Sequence, residues 1–98
     1  MSLLGPKDAL ARAVAGIAAQ GFAIVARNTR GDSVYLKPEG GAFALRVSNH
    51  ARTPKQRANH PDSVTSLVLR QPKTAAQVDA MVAEALRNFA GECRKREG

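Results

Sequence analysis

The 98-residue chain carries 15 Lys or Arg against 8 Asp or Glu, a formal net charge of +7, with a single cysteine and no tryptophan. That length suits one compact domain and is too short for two with separate cores. The lone Cys93 excludes an intramolecular disulfide, and no apolar run reaches the roughly 20 residues of a membrane span. The charge balance favours phosphate-rich or otherwise acidic partners, and the cysteine usage fits a reduced, cytoplasmic setting.

Met1-Ser2-Leu3 and Glu97-Gly98 read as cloning remnants, which leaves 4–96 as the domain. Gly5-Pro6-Lys7-Asp8 opens a helix, because Pro is tolerated in the first turn and Asp8 complements the positive end of the helix dipole. Leu10, Val14, Ile17 and Ala18 recur at helical spacing and Gly21 supplies the stop, so the first helix is predicted over Lys7 to Gln20. Its other side, Ala9, Ala11, Ala15 and Ala19 with Gly16, is nearly free of charge. Phe22 to Thr29 reads as a strand and Arg30-Gly31-Asp32 as a turn into a second strand, Ser33 to Lys37. Pro38-Glu39-Gly40-Gly41 is another turn, followed by the clearest alternation in the chain: Phe43, Leu45 and Val47 against Ala44, Arg46, Ser48 and His50. Val64 to Arg70 is a fourth strand, ended by Pro72. Thr74-Ala75-Ala76-Gln77 matches a capping box, and the helix after it aligns Val78, Val82, Ala85, Leu86 and Phe89. Arg94, Lys95 and Arg96 suit the negative end of that helix.

An α-β-β-β-β-α order with two amphipathic helices predicts an α+β fold: a single antiparallel sheet of three to four strands with both helices on one face. The other face is then open. Period-two alternation assigns Val25, Arg27, Tyr35, Lys37, Arg46, Ser48, His50, Val68 and Arg70 to it. Between Glu39 and Asp79 the chain holds six Lys or Arg and two histidines against one acid, Asp62. Most of that charge lies in the proline-punctuated segment Asn49 to Asp62, which reads as a basic loop.

Arg46, Ser48 and His50 project from one side of an extended strand, aligning a cation, a hydroxyl and a titratable imidazole toward a common ligand. That set suits gripping a phosphodiester, and His50 with Arg46 is also compatible with acid–base cleavage of RNA. His50, His60 and Asp62 match none of the strong zinc spacings, so no metal and no cofactor are expected. Asn59-His60-Pro61-Asp62 is accounted for as turn chemistry.

The runs Ser33-Val34-Tyr35, Arg46-Val47-Ser48-Asn49-His50 and His60-Pro61 resemble a pattern in small uncharacterised proteins of bacterial and prophage-like genomes. The layout is similar to double-stranded-RNA-binding-like folds, including mRNA interferases of the HicA type, in which a helix precedes a three-stranded sheet that bears a histidine and a second helix follows. That resemblance implies RNA contact at the sheet. This chain departs from it by an extra strand and by lacking the Gly-Ser-His context of those toxins.

These readings converge on a small basic, non-enzymatic protein that binds nucleic acid through the open sheet face and the basic loop. The expected contacts are Arg27, Lys37, Arg46, Ser48, His50, Arg52, Lys55, Arg57 and Arg70. The alternative is a self-associating assembly module, a homodimer formed through Val25, Tyr35 and Val68 or through the Ala-rich helix side. A third reading is a small ribonuclease using His50.

Overall fold

In the computed structural model the described residues are 2–28, 30–50 and 54–97, with 56, 57 and 97 described by their backbone only. Pro6 starts α1 (Pro6–Ala18) in the first-turn position that its missing N–H permits. Thr74 and Gln77 form the anticipated reciprocal cap of the last helix, α3 (Ala75–Glu97). The Gln77 N–H donates to Thr74 Oγ1 at 3.1 Å, and the Thr74 N–H donates to Gln77 Oε1 at 2.9 Å.

Between these helices lie β1 (Phe22–Arg27), β2 (Ser33–Pro38), β3 (Ala44–Ser48), a short α2 (Pro54–Asn59) and β4 (Ser63–Val68). They form one four-stranded sheet in the order β1-β2-β3-β4. The α+β class and the α-β-β-β-β-α order are as predicted, with α2 as an additional turn of helix. The first two connections are tight turns closed by Gly31 and Gly40, whose φ of 74° and 73° lie in the left-handed region that glycine enters without a Cβ clash. They make the expected antiparallel meander.

The sheet is mixed rather than purely antiparallel, because β4 runs parallel to β3, with Arg46 opposite Ser66 and Val47 opposite Leu67. A parallel neighbour must be reached by a crossover of about a dozen residues or more, and Asn49 to Asp62 is that crossover. The segment expected as a free basic loop therefore returns across the sheet face that α1 and α3 leave uncovered.

On the helix side, Leu10, Ala13 and Ile17 of α1 and Val78, Val82 and Phe89 of α3 bury Val34, Leu36, Leu45, Val47, Leu67 and Leu69 of the sheet. Phe22 meets Phe89 edge-on, with centroids 5.3 Å apart at 66°. Of the Ala-rich side, Ala9 is fully buried and serves the core, while Ala11, Ala15 and Ala19 remain exposed.

Val25 is an extra residue in β1: Ile24 pairs with Leu36 and Ala26 with Tyr35. Such a bulge reverses the side-chain alternation beyond it. Arg27, predicted on the face opposite the helices, is instead paired with Val34 and lines a surface groove with Lys7 and Leu10 from the start of α1.

Candidate functional site

Burial overturns the expectation of an open sheet face. Arg46 and Ser48 are 0% exposed and Tyr35 is 1% exposed. Their cover comes from the two ends of the crossover. At its start, Arg46 Nη2 donates to the His50 carbonyl at 3.1 Å. At its end, the His60 ring stacks on Tyr35, with centroids 3.8 Å apart at 17°. Val68 is half-buried and Val25 alone of the three predicted apolar contacts stays exposed.

Around His50 the chain builds a polar tether. Its Nε2 lies 3.1 Å from Ser33 Oγ and 3.2 Å from Asp32 Oδ1. Ser33 Oγ is 2.9 Å from Ser48 Oγ, and Ser48 Oγ donates to the Asp32 carbonyl at 2.9 Å. Asn28 holds the turn beneath them: its Oδ1 accepts from the N–H groups of Asp32 and Ser33, and its Nδ2 donates to the Asp32 carboxylate. An acid, an imidazole and a hydroxyl thus meet, but both contacts fall on the same ring nitrogen. A relay needs the acid on one nitrogen and the hydroxyl on the other. Ser33 is also fully buried. The geometry is that of a clamp joining the β1–β2 turn to the start of the crossover.

The Asn28 amide, followed by His50, holds the Asp32 carboxyl below its ordinary range. Lys37 does the same for Asp62 at the far end of the crossover. A carboxyl whose value is depressed by folding stabilises the fold above its unfolded value, near 4, and that contribution is lost as pH falls toward the folded value. The urea midpoint is therefore expected to hold from pH 7 to about 5 and to fall steeply below about 4. Asp32→Asn should make that acid limb shallower; an unaltered limb would show that the tether has no such role.

The directions of the strands create a second feature. β1, β3 and β4 end, and β2 begins, at the same end of the sheet. Arg27, Arg30 and Arg70 are gathered there, all exposed and without an ion pair among the described residues. Lys7 borders Arg27 and Gly31 on that end, and Lys73 is tied by backbone hydrogen bonds to Leu4 just ahead of α1. Asp32, the acid in the β1–β2 turn, is engaged by Asn28 and His50 and also feels the charge of Arg30.

The predicted contacts are thus redistributed. Arg27 and Arg70 lie at the same end of the sheet but on its opposite edges, with Arg30 in the β1–β2 turn and Lys7 beside Arg27; Arg30, Lys7 and Lys73 were not selected by the sequence reading. Strand direction was the missing information. Lys55 is exposed near the start of α2, and Lys37 is half-buried in its ion pair with Asp62. Arg46, Ser48 and His50 belong to the tether. Arg52 and the Arg57 side chain lie outside the described residues. His50 and His60 sit at opposite ends of the crossover and have separate partners.

No family model, curated protein or solved structure matches this chain. Among the described residues, no helix is long and apolar enough to cross a membrane.

Proposed function

We propose that this protein binds nucleic acid, without chemical turnover, through the arginine end of its sheet. The observation that carries the reading is that exposed Arg27 and Arg30, at the β1–β2 turn, and exposed Arg70, just past β4, lie at one end of the sheet, with Lys7 and Lys73 at its border. Arginine presents a planar, always-charged fork that pairs with phosphate oxygens, and three such groups beside the one acid of the turn, Asp32, leave an excess of positive charge that attracts a polyanion. The net charge of +7 adds long-range steering.

The clamp at His50 supports this assignment because it fixes the β1–β2 turn, and with it Arg30, against the start of the crossover. Each phosphate contact contributes about 0.9 to the slope of log affinity against log salt on duplex DNA. Titration of a labelled oligonucleotide, followed by fluorescence anisotropy, should therefore give a slope of about −3 or steeper. Absence of binding at low salt would sink the reading.

A further inference from the structure

We propose that the groove between β1 and the end of the crossover seats an unpaired nucleobase, so that the nucleic acid is single-stranded; this rests on the reading above and names its substrate class. The groove has a volume of about 540 Å³ and is lined by Val25, Tyr35, Lys37, Asn59, His60 and Asp62 among others. It exists because the crossover covers the β3 side of the face and stops at Tyr35, leaving a step down to β1.

Its chemistry is that of a site for a flat ring with a polar edge. The bulge in β1 brings Val25 to the groove, where it is 53% exposed. Val25 supplies an apolar floor. The wall is the half-buried His60 ring, backed by the buried Tyr35 on which it stacks. Such surfaces accept any base, because every base has a π-face. At the rim, Asp62 is held ionised by Lys37, so an acceptor and a donor stand side by side, and the Asn59 amide offers both. A base edge carries the same mixture of donors and acceptors.

A duplex does not supply this ligand, since its bases are stacked and their pairing edges are occupied; only a splayed base enters a pocket. A second copy of the chain is disfavoured by charge, because each copy brings +7.

The test compares a single strand of about twelve nucleotides, within the range one small domain contacts, with the duplex of the same sequence at one salt concentration. The single strand should bind at least about tenfold more tightly. Val25→Ser, at an exposed position, and His60→Ala should each remove that preference while leaving duplex affinity in place. A 2-aminopurine placed in the single strand should lose fluorescence on binding to the unmodified protein, and Val25→Ser should abolish the quench. Equal affinity for the two forms, or a preference unchanged by Val25→Ser, overturns the base pocket and leaves the arginine end intact. No binding of either form at low salt overturns both.

Discussion

Replacing Arg46 with alanine is expected to destabilise the protein by about 3–5 kcal/mol, the range for truncating a large, fully buried side chain together with the hydrogen bonds it makes. The guanidinium is 0% exposed, donates to the His50 carbonyl at 3.1 Å and reaches Ser33 Oγ at 3.5 Å. Alanine would leave a cavity where the side chain fills the space between sheet and crossover, and would strip both acceptors of this donor. For a domain of this size each kcal/mol moves Tm by about 4–8 °C, so the midpoint should drop by roughly 15 °C or more. Arg70→Ala, which removes an exposed arginine of the same sheet, should stay within about 0.5 kcal/mol of the parent. Thermal unfolding followed by circular dichroism separates the two. An Arg46→Ala protein as stable as Arg70→Ala would mean that Arg46 does not hold the crossover down.

Changing Arg27, Arg30 and Arg70 together to alanine should weaken nucleic-acid binding by about 100-fold near physiological salt and flatten the salt slope by roughly 2 to 3. The three positions are exposed and outside the core cluster, so the variant should unfold at nearly the parent temperature. That separation of binding from stability makes the result interpretable. The matching variant on the crossover, Arg52, Lys55 and Arg57 to alanine, should change the slope less. Were the crossover variant to lose the slope and the sheet-end variant to keep it, the contact surface would lie on the covering layer instead.

The features legible from sequence were those governed by local chemistry. The Thr74–Gln77 capping box, Pro6 at the start of α1, the glycine turns and the alternation through β3 all depend on neighbours a few residues apart. Strand direction does not. Val64 to Val68 carries the same period whether it pairs parallel or antiparallel, and only the length of Asn49 to Asp62 separated a crossover from a hairpin, whose loops run to about five residues. That one topological fact converts Arg46 and Ser48 from surface groups to interior ones. The small residues Ser33 and Ser48 beside Arg46 were its faint local signal, since they leave room for a guanidinium between strands. The bulge at Val25 likewise has no signature in the string Phe22-Ala23-Ile24-Val25-Ala26-Arg27, yet it decides on which side Arg27 emerges.

The exchange of backbone hydrogen bonds between Leu4 and Lys73, at 2.7 and 3.0 Å, also defines how the molecule would carry mechanical load. Tension applied at residue 4 and at the far end of α3 passes from Leu4 into Lys73 and then along the helix. Everything between those two residues, including all four strands, hangs as a slack loop outside the line of force. The sheet is thus shielded from stretching until that pair of bonds gives way, after which the load transfers to α1 and the strand edges.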